Sequence, residues 1–362
     1  MGGDDTFEFL SSNFGAFNLT TVGGTAQRSI TSLTPGTYNV SETVPAGWEL
    51  TSATCSDGSN PNSINLAAGE DVTCTFTNTK LDTIVVYKVA AGGDATFPFT
   101  STIPGASNFS ITTANGTGIT YFNDVQPGTY AISETVPAGW TLADVVCSNG
   151  DDPASITLAA GETVACTFGN EKNDTIIVVK RTVGGDGSFS FTSDIPGASS
   201  FTLTTTNNVA RTSFTVPPDA TYNISESVPA GWDLTSAVCS NGDTPDSVYV
   251  GAGETVGCVF TNTERGRLTI VKQAVGGDGN FQFLSPQFGV FNLNTVGGTA
   301  QTSVPNLPPG TYSVDEIGWP AGWDPTSATC SDGSNPNSIA LAAGEHVTCT
   351  FTNTKRGSIN VV

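Results

Sequence analysis

Apolar and polar residues alternate along almost the whole chain, and apolar residues nowhere recur at helical spacing. Between residues 84 and 170 the alternation predicts a series of short strands. Ile84-Val85-Val86-Tyr87-Lys88 opens it, followed by Phe97-Pro98-Phe99, Phe109-Ser110-Ile111 and a short run at Tyr121-Phe122. The turn dipeptide Pro127-Gly128 leads into Tyr130-Ala131-Ile132-Ser133-Glu134. A Pro137-Ala138-Gly139-Trp140 corner follows, then a strand ending at Cys147 and a last one over Val164–Asn170. Roughly seven short strands with turn signals between them read as a small β-sandwich.

The same series recurs. The Phe-x-Phe strand returns as Phe7/Phe9, Phe189/Phe191 and Phe281/Phe283, and Cys55, Cys147, Cys239 and Cys330 lie 92, 92 and 91 residues apart. Each of these cysteines has a partner 19 residues on: Cys74, Cys166, Cys258 and Cys349. The chain therefore divides into four sandwiches at 1–79, 80–171, 172–263 and 264–354, with a spare strand at 355–362. Linkers of a few residues predict an elongated rod of closely spaced beads. Four regularly spaced cysteine pairs predict four disulfides and an oxidising compartment.

Composition narrows the function classes. With 33 acidic residues against 12 basic ones the net charge is −21, which argues against nucleic acid as a partner. No apolar run is long enough to span a membrane, and Met1-Gly2-Gly3-Asp4 does not read as a secretion signal. No cofactor or metal motif stands out. The acidic loops Gly3-Asp4-Asp5 and Gly150-Asp151-Asp152 read as solvated turns in preference to calcium sites, and the one histidine, His346, as a solvent-side strand residue.

Three polar residues per copy fall in phase with the buried side of a strand, where side chains two apart share a face. Lys88 follows Ile84 and Val86, Lys180 follows Ile176 and Val178, and Lys272 follows Leu268 and Ile270. Glu134 follows Tyr130 and Ile132, with equivalents Glu42, Glu226 and Glu316; Asn170 follows Cys166 and Phe168, with equivalents Asn78, Asn262 and Asn353. Burying a lysine and a glutamate is costly unless they are paired or put to use. A desolvated lysine loses its proton and becomes a nucleophile, and a buried glutamate keeps its proton and can shuttle it. Attack on the Asn carboxamide would expel ammonia and leave a Lys–Asn isopeptide bond. A buried Lys–Glu ion pair, with the Asn as a hydrogen-bonding neighbour, is the other reading of the pattern.

The segments Gly36–Trp48 and Gly128–Trp140 (Gly-Thr-Tyr-x-x-Ser-Glu-x-Val-Pro-Ala-Gly-Trp), the Cys-x-Phe-x-Asn ending and the Ile-Val-x-Lys start resemble the prealbumin-like (Cna B-type, SpaA-like) domains of bacterial surface adhesins and pilus shafts. The resemblance covers nearly the whole chain. It implies an Ig-like, prealbumin-like sandwich and intramolecular isopeptides within the triads Lys88/Glu134/Asn170, Lys180/Glu226/Asn262 and Lys272/Glu316/Asn353. Three departures stand out: Pro-Ala-Gly-Trp stands where many members have a Tyr, the disulfide is not general in that family, and Asp315-Glu316-Ile317-Gly318-Trp319 changes the surroundings of the fourth glutamate.

The phase of the repeat adds a last expectation. Met1 aligns with Ala91, so the first copy lacks its first strand and its lysine. Ser358-Ile359-Asn360-Val361-Val362 reads as a first strand that stops just before its lysine. Such a strand could complete the first sandwich of another molecule and build an open filament. The expected protein is thus an extracellular, cell-surface fibre protomer or repeat unit whose partner is itself, and not an enzyme. The alternative is an adhesin stalk or binding module for a host or matrix ligand, cut from a longer tandem array.

Overall fold

The computed structural model describes residues 1–361. It is all-β, and one set of sheets recurs four times. Two compact units, Met1–Asn173 and Asp174–Val362, hold two copies each.

The second copy shows the complete pattern. A four-stranded sheet has the order Thr117–Val125, Asp82–Ala91, Thr163–Lys172, Trp140–Cys147. A three-stranded sheet, ordered Asn108–Thr112, Thr96–Ser101, Ile132–Glu134, packs against it, with Phe99 meeting Phe168 edge-on at 5.1 Å. Asp82–Ala91 is here called the opening strand and Thr163–Lys172 the closing strand. They pair in parallel at the centre of their sheet, Lys88 opposite Phe168 and Ala90 opposite Asn170. A parallel pair cannot be joined by a hairpin, so the rest of the domain serves as the crossover between them. Ile84, Val86, Cys166 and Phe168 of this pair face Phe97 and Phe99 in one dry core.

Each complete copy has nine strand segments where the alternation predicts about seven. The run Tyr130–Glu134 is not one strand. It divides at Ala131: Gly128–Tyr130 pairs with Ile156–Leu158, a strand too short for its alternation to register, and Ile132–Glu134 pairs with Thr96–Ser101. Tyr130 is therefore on a different sheet from Glu134. The four disulfides, Cys55–Cys74, Cys147–Cys166, Cys239–Cys258 and Cys330–Cys349, join directly opposed residues of adjacent antiparallel strands.

The first copy lacks the opening strand and loses a second one with it. Its large sheet is reduced to Trp48–Cys55 and Cys74–Lys80. Residues 26–33, equivalent to part of Thr299–Leu307 in the fourth copy, are irregular. In the complete copies this strand hydrogen-bonds only to the opening strand, so without that partner it has no ladder to join. The buried cluster shrinks to Phe7, Phe9 and Trp48.

Candidate cross-link site

The parallel opening and closing strands bring their Lys and Asn side by side, and the opposing sheet supplies the Glu from above. In the second copy Lys88 is wholly buried. Its Nζ donates to Asn170 Oδ1 at 2.8 Å and to the carbonyls of Phe168 and Val89 at 2.9 and 3.0 Å. Asn170 Nδ2 donates to Glu134 Oε1 at 2.5 Å, and Glu134 Oε2 stands 3.6 Å from Lys88 Nζ. The third copy is tighter: Lys180 Nζ lies 2.5 Å from Asn262 Oδ1 and 3.2 Å from Glu226 Oε2, and Asn262 Nδ2 donates to Glu226 Oε1 at 2.5 Å.

The fourth copy departs from this arrangement. Lys272 Nζ lies 2.9 and 3.1 Å from the two carboxylate oxygens of Glu316, and Asn353 Nδ2 donates to Glu316 Oε1 at 2.9 Å. Asn353 Oδ1, however, is buried without a hydrogen-bond partner. The cause is local: one extra residue separates Glu316 from the Pro-Ala-Gly-Trp corner, and the strand bulges, with Gly318 opposite Gln282 and Glu316 opposite Phe283.

Burial holds the Lys88, Lys180 and Lys272 amines below the ordinary lysine range, although the neighbouring glutamates pull them back up. Burial likewise raises the Glu134 and Glu226 carboxyls, opposed by the lysines. Desolvation thus drives the Lys88/Glu134 and Lys180/Glu226 pairs toward an uncharged amine facing an uncharged acid. An aromatic ring floors each site and keeps water out: Phe97, Phe189 and Phe281 lie 4.3, 4.3 and 4.4 Å from the three Nζ atoms. The Phe-x-Phe alternation marks these rings as core, and nothing in the sequence ties them to the lysines.

The first copy holds half a site. Asn78 Nδ2 donates to Glu42 Oε1 at 2.6 Å, while Glu42 Oε2 and Asn78 Oδ1 are buried with no partner. Burial raises the Glu42 carboxyl. Sequence reasoning missed a buried acid at the far end of the opening strand, six residues before the lysine. Asp82 and Asp174 open their strands fully buried, each accepting the N–H of a turn glutamate (Glu162 at 3.0 Å, Glu254 at 3.2 Å) through one oxygen and leaving the other unpaired.

The remaining sequence candidates lie elsewhere. The Asp4 carboxylate accepts the N–H groups of Gly23 and Gly24, and the Asp151 carboxylate accepts from Asn149 Nδ2 and the Thr157 N–H, so both acidic loops use their carboxylates to hold turns. Among the described residues no group of three or more His, Cys, Asp or Glu is placed to hold a metal ion. His346 is exposed at the start of a closing strand. Ser358, Ile359, Asn360 and Val361 form no strand, with Ile359 92% and Val361 93% exposed; Val362 lies outside the described residues.

Two-sheet sandwiches with a parallel opening–closing pair, repeated in tandem, have the fold of a prealbumin-like domain. The chain belongs to that family: the SpaA_4 model, a prealbumin-like fold domain, matches residues 1–80, 84–172, 176–264 and 268–355. Solved structures similar to it include the Bacillus anthracis TIE protein, at 16% identity and a TM-score of 0.36, covering 96% of this chain and 66% of that one. BcpA, the major pilin subunit of Bacillus cereus, is 12% identical with a TM-score of 0.30, covering 76% of this chain and 100% of that one. The full-length major pilin SpaD from Corynebacterium diphtheriae is 11% identical with a TM-score of 0.28, covering 77% of this chain and 98% of that one. No curated protein matches the chain. Among the described residues no helix is long and apolar enough to cross a membrane.

Proposed function

We propose that the chain is an extracellular structural protein, a protomer or repeat unit of a cell-surface fibre, in which each complete sandwich carries a Lys–Asn isopeptide bond. The observation that carries this reading is the dry contact between a buried Lys Nζ and an Asn carboxamide, repeated in two copies at 2.8 and 2.5 Å with a Glu bridging both partners. The uncharged Nζ adds to the Asn side-chain carbon, the bond to Nδ2 breaks, and Nδ2 leaves as ammonia. The amine gives up one proton and the leaving group takes one, relayed through the protonated glutamate. The reaction occurs once per domain and turns over no substrate.

The position of the bond suits a load-bearing role. Tension enters a copy at the start of the opening strand and leaves at the end of the closing strand. A bond from Lys88 to Asn170 links those two strands directly, so force bypasses residues 89–169. The disulfide at Cys147–Cys166 lies inside the bypassed region and serves stability instead, worth roughly 3 kcal/mol in the chain-entropy account.

The protomers join head to tail by strand donation. The closing strand of the first copy, Cys74–Lys80, has one edge open over Cys74–Thr77, with only Met1 bonded beside it at Asn78 and Lys80, and an open edge of this kind is a template for a further strand. Residues 358–362 offer Ile359 and Val361 in the phase of Leu268 and Ile270. Electron microscopy of the oxidised protein tests this. Filaments are expected from the full chain and none after deletion of residues 356–362; filaments that persist unchanged in the deletion contradict strand donation.

A further inference from the structure

The junction between the first and second copies and that between the third and fourth are built alike. In the former, Gly161 N–H donates to the Lys80 carbonyl (3.2 Å), Thr83 N–H to the Glu162 carbonyl (3.0 Å) and Leu81 N–H to the Gly47 carbonyl (2.8 Å). In the latter, Gly344 N–H donates to the Glu264 carbonyl (3.0 Å), Arg267 N–H to the Glu345 carbonyl (2.9 Å) and Arg265 N–H to the Gly231 carbonyl (2.8 Å). The backbones touch at both. A Cβ on Gly161 would lie 2.5 Å from the Gly2 carbonyl oxygen, and one on Gly344 2.5 Å from that of Gly184. Each junction thus seats a turn of the following copy, Ala159–Glu162 or Ala342–Glu345, on a glycine of the preceding one.

The first copy carries the same turn with nothing seated on it. Its Ala67 N–H is held by the Glu70 carboxylate at 2.8 Å, as Ala342 N–H is by Glu345 at 2.8 Å. No atom lies within 4 Å of where a Cβ on Gly69 would stand, and among the described residues no backbone N–H donates to the Glu70 carbonyl. At the other end the fourth copy exits as the third does. Arg356 N–H donates to the Gly322 carbonyl at 2.8 Å. Its guanidinium grips Asp324 at 2.8 and 2.5 Å, as Arg265 grips Asp233 at 2.9 and 2.5 Å. Gly276, the counterpart of Gly184, faces only Lys355, and Gly357 faces nothing.

We infer that a second copy of this chain docks through a replica of the internal junction. The turn Ala67–Glu70 of one molecule seats on Gly276 and Lys355 of the preceding molecule, Gly69 N–H donating to the Lys355 carbonyl and Ser358 N–H to the Glu70 carbonyl. This deepens the strand-donation reading and rests on it: the replica sets the register in which Ile359 and Val361 enter the first copy. Charge supports the pairing, since Lys355 meets Glu70 and Asp71 in a chain whose net charge of −21 otherwise keeps copies apart. The contact joins two different surfaces and so propagates.

The test is sedimentation of the oxidised full chain and its variants. Gly69 has φ +74°, a conformation that Asn tolerates, and open space around it, so Gly69→Asn is compatible with the free molecule. In the replica its Cβ would meet a carbonyl at the distance given above for Gly161 and Gly344. Ala68→Trp blocks the same seat without touching backbone conformation. Both variants are expected to melt like the parent yet assemble only at more than about tenfold higher concentration. Gly58→Asn, at a turn with φ +80° and open space outside the junction, assembles like the parent. Assembly of Gly69→Asn and Ala68→Trp at the parental concentration, with deletion of residues 357–362 still abolishing it, overturns the replica junction and leaves strand donation standing. A parent that stays monomeric, or a deletion without effect, overturns both.

Discussion

The first and fourth copies share long identical stretches and fold differently. Val22–Gln27 repeats as Val296–Gln301, and Thr51–Asn60 recurs from Thr326. In the fourth copy Thr299–Leu307 is a strand lying on Gly266–Val275, and the closing strand runs over His346–Lys355. In the first copy residues 26–33 are irregular and the closing strand starts only at Cys74. Val347, Cys349 and Phe351 are buried, whereas Val72, Cys74 and Phe76 are half-exposed. The same residues form or fail to form a ladder according to whether one strand is present beside them. Strand propensity in this fold is conditional on a partner, and the opening strand is the partner on which two others depend.

Removing a disulfide separates the two copies most sharply. Loss of such a bridge costs about 2–5 kcal/mol. Cys55→Ser with Cys74→Ser is expected to unfold the first copy, which has a three-residue buried cluster and no lysine in its core. Cys330→Ser with Cys349→Ser should leave the fourth copy folded. Hydrogen exchange over residues 6–80 and 266–355 reads both, and equal losses in the two would break the comparison.

Proteolysis probes the missing ladder. Arg28 is exposed in the irregular segment, whereas Arg211 lies in the equivalent strand of the third copy, paired with Val179. Trypsin is expected to cut native protein after Arg28 more than about tenfold faster than after Arg211. Equal rates would mean that residues 26–33 are held without the opening strand.

The smallest expected effect is a pH dependence that distinguishes the opening strands themselves. Burial raises the Asp82 carboxyl from its ordinary 3.8, so the folded state binds its proton more tightly than the unfolded state does. Stability is fully present below about 3.8 and falls as pH rises through the raised folded value, with the same sign at Asp174. The fourth copy has Gly266 at this position and lacks the effect. Asp82→Asn should flatten the pH dependence of the second copy's melting, and an unchanged profile would exclude Asp82 as its source.

Much of this architecture is legible in the sequence because a 92-residue period repeats each clue. The inward phase of Lys88 and Asn170 follows from Ile84, Val86, Cys166 and Phe168, since strand alternation fixes the face of every second residue. The absent opening strand of the first copy follows from alignment alone. Other features depend on long-range pairing. The break at Ala131 arises because Tyr130 and Ile132 find partners in different sheets, and three-residue strands such as Ile156–Leu158 carry too little alternation to register. The irregularity of residues 26–33 is illegible locally, because nearly the same residues form a strand elsewhere. The ring under each lysine and the buried Asp82 are likewise visible only when two sheets are stacked.

Intact mass of the oxidised, unreduced protein tests the central claim most directly. Each isopeptide removes one ammonia, and the first copy, with Glu42 and Asn78 but no lysine, can form none. The mass should fall short of the value for four disulfides by three molecules of ammonia, with peptide mapping placing the losses at Lys88–Asn170, Lys180–Asn262 and Lys272–Asn353. A mass accounted for by the four disulfides alone would make the three triads buried ion pairs and contradict the account.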